Sequence, residues 1–181
     1  MLAIDDDWSL ILSTSLLGRW DSARHEELSL SDLESYPLLA ACHRVWHASG
    51  DAGALPNRID PLDLPREVLP TVMMLDLEAD GEPAQLRVRL AGTEVCAKHG
   101  GELKGKTTDD FFKPEDASAV VSSALAIARS RTPSLARRSY VSLNRRNWRY
   151  VRLIMPLSRN GERVDSFFKV ADPGSMTELA R

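Results

Sequence analysis

Residues 86–112 read LRVRLAGTEVCAKHGGELKGKTTDDFF, and their pattern changes twice, each time at a glycine. Apolar and charged residues alternate from Leu86 to Leu90, which predicts a β-strand with one solvent-exposed face. Gly92 ends this strand, and the residues from Thr93 to Gly101 predict a short helix or turn closed by glycines. A second break follows at Gly105. Strand, short turns and a longer helix in this order leave a pocket between the turns and the sheet, and we expect that pocket to be the functional centre.

The composition is that of an ordinary soluble globular protein. The chain has 181 residues, a formal net charge of −3, a sequence pI near 5.8 and 43% hydrophobic residues. This length suits one domain with an appended segment. The balance of charge and hydrophobicity is typical neither of disordered chains nor of strongly basic nucleic-acid-binding proteins.

The two cysteines and the N-terminal sequence indicate a reducing compartment. Cys42 and Cys96 lie in apolar segments without C-x-x-C spacing, so we expect reduced, buried thiols rather than a disulfide or a thiolate metal site. The chain opens with Asp5-Asp6-Asp7 where a secretory signal would be basic, and it has no apolar run of membrane-spanning length. We therefore expect a cytoplasmic protein without membrane association.

The first 36 residues form an acidic segment with an apolar stripe, since they contain eight Asp or Glu and two Arg. Four apolar residues in it, Trp8, Leu12, Leu16 and Trp20, recur at helical spacing. This spacing predicts a helix, although the Ser-Thr-Ser interruption keeps a strand as an alternative. The two tryptophans need a partner surface, which either this domain or a second subunit would provide.

A second helix is predicted over Leu38 to Ser49, with Ser31 to Glu34 as an S-x-x-E capping box, although Pro37 could shift its start. Its apolar face includes Trp46, which we interpret as an interaction residue. His43 and His47 are spaced as metal ligands on a helix would be. No acidic residue shares their face, so we interpret them as solvated or hydrogen-bonded side chains.

The rest of the chain predicts one antiparallel sheet. Residues 55–70 carry four prolines and are expected to form stiff, extended chain with turns. Residues 71–77 predict a central strand, which forms a hairpin with the strand at 86–90 through a turn at 79–82. One helix and three further strands complete the pattern, at residues 117–130, 134–143, 147–157 and 163–170.

These elements predict an α+β fold: a five-stranded antiparallel sheet with helices on one face, preceded by an N-terminal helical extension. The extension spans residues 1–54 and is a candidate dimerisation element. The sheet domain spans residues 55–172, and residues 173–181 are expected to be a frayed or weakly helical tail.

Several short motifs between residues 36 and 172 resemble those of a stand-alone bacterial PAS-domain family. A helix that carries Trp46 leads into a proline-rich motif with Leu55-Pro56, Arg58, Pro61 and Pro65 at the spacing of that family. The R-L-A-G-T run at residues 89–93 is a further match. Other matching motifs are Leu69-Pro70, Leu75-Asp76, Gly100, the turn from Leu103 to Lys106, Met155-Pro156-Leu157 and Asn160-Gly161.

The resemblance implies a PAS-like fold and a sensory or regulatory module, because PAS domains generally sense a small ligand or a redox state and signal through dimer contacts. Flavin-adduct PAS domains carry an Asn-Cys-Arg-Phe-Leu run before the long helix, where residues 107–112 of this chain read TTDDFF. Haem-binding PAS domains usually present a histidine from the long helix, and residues 117–130 contain none. We therefore expect neither a flavin adduct nor haem, and the resemblance names no ligand.

The sequence contains no recognisable catalytic constellation. It lacks G-x-S-x-G, H-E-x-x-H, Walker and G-x-G-x-x-G motifs, so we expect no enzymatic activity and assign no catalytic or metal-binding residue. Cys96 and His99 are three residues apart, but no carboxylate motif nearby would orient them, and we interpret Cys96 as a structural thiol. His99 is the histidine nearest the expected pocket, where a structural role and ligand hydrogen bonding both stay open.

The second half of the chain is basic, since residues 117–161 contain nine arginines and no Asp or Glu. Strand alternation puts Arg138 on one face with Tyr140, and Arg149 on the face opposite Trp148. Arginines beside aromatic residues could bind an anionic ligand, nucleic acid or an acidic protein segment. We favour a solvated outer face that pairs in part with the acidic N-terminal segment, in cis or in trans.

The sequence is compatible with two functional hypotheses. The first is a sensor whose small-molecule ligand lies between the sheet and the turns, with a homodimer relaying the signal. The second is a ligand-free adaptor for a signalling protein, and nucleic-acid binding is not expected. The candidate pocket residues are Leu86, Val88, Leu90, His99, Phe111, Tyr140 and Trp148. The candidate interaction residues are Trp8, Leu12, Leu16, Trp20, Trp46, Arg138 and Arg149.

Overall fold

The computed structural model describes residues 24–50, 53–79, 81, 83–141 and 145–179, and in this part of the chain one antiparallel sheet lies between two helical layers. The α+β class is confirmed. The strands are β1 (Arg24–Leu28), β2 (Val72–Glu78), β3 (Gln85–Ala91), β4 (Ser134–Val141), β5 (Asn147–Leu157), β6 (Ser166–Ala171) and β7 (Thr177–Leu179). The α-helices are α1 (Pro37–Ala48), α2 (Thr93–His99) and α3 (Pro114–Ser130). Short 3₁₀ helices occur at Leu30–Ser35, Pro61–Asp63, Arg66–Thr71, Thr108–Asp110 and Pro173–Ser175.

The sheet has the strand order β1-β4-β5-β6-β2-β3, and β7 pairs with β5. All five predicted strands are present as β2 to β6. The strand predicted at 71–77 is central, because β2 pairs with β6 on one side and with β3 on the other. The predicted hairpin therefore belongs to the same sheet as β5. None of the helices in the described residues is long and apolar enough to cross a bilayer.

The sheet gains one edge strand from a segment that the sequence assigns to a helical extension. Residues Arg24–Leu28 form β1 and pair with β4. The Nη1 atom of Arg137 donates a hydrogen bond of 2.7 Å to the Glu26 carboxylate, and the Ser134 hydroxyl donates to the Glu27 carboxylate at 3.0 Å. Polar contacts therefore hold β1 against β4. Because its sequence lacks the alternation of apolar and polar residues that predicts a strand, the sequence pattern does not predict β1. The stripe from Trp8 to Trp20 lies outside the described residues.

The C-terminal tail, predicted to be frayed or weakly helical, instead adds β7 after the 3₁₀ helix at Pro173–Ser175. β7 pairs with the start of β5, where Trp148 lies opposite Glu178. An ion pair between Arg146 and Glu178 ties this short strand to the sheet. A three-residue strand carries too little pattern to be predicted from sequence.

The outer face of the sheet packs against α1 and the chain that flanks it. Leu39, Cys42 and Trp46 of α1 are buried in one core with Val151 and Leu153 of β5. The domain boundary predicted at residue 54 therefore does not separate two structural units. Trp46 is a core residue rather than a surface interaction residue, because its Nε1 atom donates a 2.8 Å hydrogen bond to the Pro156 carbonyl.

The capping box before α1 lies two residues earlier than predicted, at Ser29 and Asp32. The Ser29 side chain accepts a hydrogen bond from a backbone amide, and the Asp32 carboxylate accepts one from the Ser29 amide. This box starts the 3₁₀ helix at Leu30–Ser35, and α1 itself begins at Pro37. Proline suits the first helical position because the missing N–H has no partner there in any case.

The glycine of the R-L-A-G-T run lies where β3 turns into α2. The Gly92 amide donates a 2.8 Å hydrogen bond to the Val72 carbonyl. A Cβ atom at Gly92 would lie 2.3 Å from the Pro70 carbonyl oxygen and 2.7 Å from that of Leu69. Close backbone approach thus requires glycine here, and it fixes α2 against the chain entering β2.

We expect Gly92→Ala to lower the free energy of unfolding by about 1–3 kcal/mol, because the added methyl group overlaps backbone that cannot rotate away. Gly101→Ala, at the other end of α2, is the matched control. No atom lies within 4 Å of its added Cβ, so its effect should stay within a few tenths of a kcal/mol. Urea denaturation of both variants measures this, and a Gly92→Ala protein as stable as the parent would contradict the packing described.

Candidate ligand-binding site

The inner face of the sheet carries an unusual set of polar side chains on β4, β5 and β6. Alternation along β5 points Trp148, Tyr150, Arg152 and Ile154 to this face. Cross-strand pairing aligns Tyr150 with Arg138 on β4 and Ile154 with Lys169 on β6. Three neighbouring strands thus direct two guanidinium groups and one ammonium group towards the helical layer of α2 and α3.

A cavity lies between this face and the layer formed by α3 and the 3₁₀ helix at Thr108–Asp110. Its volume is about 40 Å³, which holds a few water-sized groups. The apolar part of the wall includes Met73, Leu75, Leu86, Phe111, Ile154 and Phe167. The polar part consists of His99, Thr108, Ser123, Arg138, Tyr150, Arg152 and Lys169.

His99 forms an aromatic corner of the cavity. Its ring stacks on Tyr140 with centroids 4.6 Å apart and meets Phe111 edge-on at 5.5 Å. The side chain is 3% exposed, and its Nδ1 atom has no hydrogen-bond partner. Burial, followed by the positive charges of Lys169 and Lys106, lowers the pKa of His99 to about 3. The ring is therefore neutral near neutral pH.

Two of the three cations of the cavity, Arg152 and Lys169, donate only long hydrogen bonds to neutral partners. Arg152 Nη1 donates to the Ser134 hydroxyl at 3.3 Å and to its carbonyl at 3.4 Å. Lys169 Nζ donates to the Tyr150 hydroxyl at 3.3 Å and contacts the Met73 sulfur at 3.5 Å. Within the described part of the chain, none of the three forms an ion pair with a carboxylate. Buried charge without a close counter-charge is costly.

The pKa directions reflect this crowding of positive charge. Burial, reinforced by repulsion from Arg138, lowers the pKa of Arg152 to about 10. Burial also lowers the pKa of Lys169, although Tyr150 opposes the shift. For Tyr150, burial acts to raise the pKa, but the charges of Lys169 and Arg138 together outweigh it and lower the pKa of the phenol.

The structure brings most predicted pocket residues to one region. Leu86, His99 and Phe111 line the cavity. Val88 is buried in the same core cluster, and Tyr140 stacks on His99. Trp148 lies next to them in a smaller aromatic cluster, with the Lys98 ammonium 4.3 Å from its ring centroid.

Leu90 does not belong to the pocket, because 44% of its surface is exposed. The reason is a β-bulge in the β2–β3 pairing: Met74 lies opposite Leu90, but the next residue, Leu75, lies opposite Val88. One residue of β3 is therefore unpaired, and the alternation reverses at that point. The sequence shows regular alternation through Leu90 and gives no sign of the bulge.

Sequence analysis places the arginines mainly on a solvated outer face, which is wrong for two of them. Arg138, predicted to be an interaction residue, is 7% exposed and lines the cavity, and Arg152 is 1% exposed. Arg149 is exposed and lies on the opposite face from Trp148, as predicted. Sequence reasoning missed the polar wall residues Thr108, Ser123, Tyr150, Arg152 and Lys169. The alternation of side chains along β5 puts Arg152 on the same face as Trp148 and Ile154, and this pattern could have identified it as a wall residue.

The described residues contain no group of three or more His, Cys, Asp or Glu that could hold a metal ion. His43, from the helical pair, stacks on Trp46 at 5.7 Å. Cys42 is buried, which raises its pKa to about 12. Cys96 does not line the cavity.

Substitution of His99 should change how stability depends on pH. The unfolded chain protonates His99 near its ordinary pKa of 6.5, whereas the folded chain does so only near 3. Between these values the unfolded state binds the extra proton, so acidification destabilises the fold by up to about 1.4 kcal/mol per pH unit. We expect His99→Phe to remove this contribution and flatten the acid limb of unfolding free energy against pH, measured by urea denaturation. Burial also lowers the pKa of His25 and of His43, so some slope should persist. An acid limb identical to that of the parent would show that His99 protonates freely.

Comparison with known proteins gives one family. The model of the PAS domain family matches residues 35–171. Among solved structures, the Rhodobacter sphaeroides LOV protein has a TM-score of 0.45 and 10% sequence identity, over 79% of this chain and 69% of that one. An RNA-binding light-oxygen-voltage receptor has a TM-score of 0.45 and 10% identity, over 83% of this chain and 38% of that receptor. No curated protein matches the chain in sequence.

The family match covers the whole sheet except β1 and β7, together with α1, α2 and α3. It includes the R-L-A-G-T run, whose glycine makes the close approach to Pro70, and all residues named above as walls of the cavity. A match to the PAS domain family supports a sensory role for this chain. The chain belongs to the PAS domain family.

Proposed function

We propose that this PAS domain is a non-catalytic sensory module that binds a small molecule in the cavity and relays occupancy through the contacts of a homodimer. One observation carries the binding step. The Nδ1 atom of His99 and the Oγ1 atom of Thr108 are buried, belong to cavity-lining residues and have no hydrogen-bond partner. Buried polar atoms in native proteins almost always have a hydrogen-bond partner. Two such atoms without a partner at one cavity therefore support a ligand that hydrogen-bonds to them.

The chemistry of the cavity wall supports a small-molecule ligand. Each buried polar atom left without a partner costs roughly 1–3 kcal/mol, and a ligand that bonds to both would recover that cost. The wall combines apolar surface with a few convergent polar groups, which is the usual composition of ligand sites. A volume of about 40 Å³ suits a compact ligand or the compact end of a larger one.

β1 offers a route by which occupancy is relayed. His25 on β1 lies opposite Arg138 in the cross-strand register. Burial lowers the pKa of His25, the hydrogen bond to Glu27 opposes this shift, and the charges of Arg152 and Arg138 add to it. The imidazole of His25 is therefore electrostatically coupled to two cations of the cavity wall. β1 directly follows residues 1–23, where the sequence predicts the dimerisation stripe. Cavity, β1 and dimer contact are thus consecutive steps of the proposed relay.

Four arginines of the basic half of the chain are not available to contact nucleic acid or a membrane surface. Arg138 and Arg152 are buried. Arg137 and Arg146 form ion pairs with Glu26 and Glu178. These four side chains therefore do not offer the exposed, unneutralised positive charge that binding to backbone phosphates requires.

A thermal-shift screen of carboxylates, phosphates, amides and sugars, with native mass spectrometry of freshly purified protein, tests the binding step. A ligand at a hundred times its Kd adds about 2.7 kcal/mol of stability, which raises Tm by ~5–10 °C for a domain of this size. We expect Thr108→Val to reduce the response while leaving the free protein at least as stable, because the variant removes an unpartnered hydroxyl. Thr93→Val, an exposed site on α2, is the control. If no compound is retained or stabilises the parent, the binding step is wrong and the ligand-free adaptor is favoured.

Deletion of residues 1–23 tests the relay step, because it removes the predicted stripe and keeps β1. We expect the full chain to be dimeric and the deleted chain monomeric, as measured by light scattering after gel filtration. The ligand response in the thermal-shift assay should survive the deletion, since no described cavity residue is removed. A deleted chain that stays dimeric would place the subunit contact elsewhere.

A further inference from the structure

Arg138, Arg152 and Lys169 form a compact cationic wall, defined as the three charged side chains that line the cavity from β4, β5 and β6. Arg152 lies between Ala136 on β4 and Ala171 on β6 in the cross-strand register. Two small neighbours leave space on both sides for its guanidinium group. Arg138 is two residues after Ala136 and Lys169 is two residues before Ala171, so both are within diagonal reach of the same space.

The described residues supply too little negative charge to balance this wall. Glu27 of β1 acts electrostatically on Arg152, and its carboxylate accepts a hydrogen bond from the Ser134 hydroxyl that Arg152 also contacts. Glu27 is exposed and makes no ion pair with the three cations. The direct partners are a serine, a tyrosine and a thioether, at 3.3 Å or more.

Among the described residues that line the cavity, Tyr150 is the one that could become an anion beside the cationic wall. Its hydroxyl lies 3.3 Å from the Lys169 ammonium, and a phenolate there would balance a single charge. Two guanidinium charges would still lack a counter-charge. Because three like charges repel one another at low dielectric, an added anion gains from all of them together.

Size and the surrounding groups narrow the chemical class of that anion. Free space of about 40 Å³ holds about three water-sized groups, enough for a carboxylate or a phosphate but not for an extended polyanion. Guanidinium groups match the paired oxygens of both. The unpartnered Thr108 hydroxyl and His99 ring nitrogen add neutral hydrogen-bonding positions, and Phe111 and Phe167 offer apolar contact to a short carbon chain.

We infer that the ligand of this PAS domain is a small oxyanion, a carboxylate or a phosphate, bound by Arg138, Arg152 and Lys169. The inference rests on the proposed function and specifies its ligand class.

The test measures thermal shift and calorimetric binding of the full chain with sodium acetate, sodium propionate and inorganic phosphate, each against an equal concentration of sodium chloride. Acetamide and propionamide are the neutral counterparts of the two carboxylates. We expect at least one oxyanion to raise Tm and the amides to have no effect. A response to carboxylates alone identifies a carboxylate ligand, and a response to phosphate alone identifies a phosphate.

Two charge-removing variants separate binding from folding. Arg152→Met and Lys169→Met keep a long apolar stem and remove a poorly compensated buried charge, so the free protein should be as stable as the parent or more stable. Their affinity for the responding oxyanion should fall about ten- to a hundredfold, as expected for loss of a charge-assisted hydrogen bond. Arg149→Met, on the exposed face of the same strand, should change neither quantity. A merely structural role for Arg152 and Lys169 would instead give lower stability and unchanged anion affinity.

If an amide or another neutral compound stabilises the parent as well as the oxyanions do, or if both charge-removing variants keep the parent affinity, the oxyanion inference is wrong while the cavity remains a ligand site. If neither oxyanions nor neutral compounds bind, both are wrong.

Discussion

The register that holds β5 between β4 and β6 determines both the core and the cavity. β5 is buried on both faces: Val151 and Leu153 pack towards α1, while Tyr150 and Arg152 face the cavity. Because side chains alternate strictly, a shift of one residue would place the guanidinium group in the outer core and an aliphatic side chain in the cavity. Such a shift would remove Val151 and Leu153 from the apolar core they share with α1, and this cost in free energy keeps the charged residues in position. Site chemistry therefore depends on the packing of the opposite face of the sheet.

Sequence patterns predict those elements whose stability comes from apolar alternation or from glycine. The strands β2 to β6, the helices α1 and α3, and the left-handed Gly100 that ends α2 are all of this kind. β1 and β7 are not, because they are short and are placed by polar contacts such as Glu26 with Arg137. Leu90 is misplaced because a bulge leaves no mark in a regular pattern. Arg138 is predicted to be an interaction residue because charged side chains are usually exposed. It is buried because the alternation of side chains along β4 directs it to the inner face of the sheet.

The cavity joins two kinds of surface that usually lie apart. Aromatic rings of His99, Tyr140 and Phe111 form one corner, and the cationic wall forms the other. Aromatic rings usually pack in the core of a protein, and charged side chains usually lie on its solvent-exposed surface. Here the pleat of the sheet turns them to the same interior space, so a ligand that satisfies both is the simplest account of why charge is retained there. Membership of the PAS domain family is consistent with that account.

The exposed ion pairs of β1 and β7 have a consequence for how the domain behaves in different electrolytes. Attraction between exposed charges is screened over a Debye length of roughly 8 Å in physiological salt and over shorter distances as salt rises, whereas apolar packing of the central strands is not screened. Raising the salt concentration should therefore weaken the ion pairs that hold β1 and β7, while the apolar packing of β5 is unaffected. β1, which links the cavity wall to the start of the chain, is thus attached in part by a salt-sensitive contact, the exposed ion pair between Arg137 and Glu26.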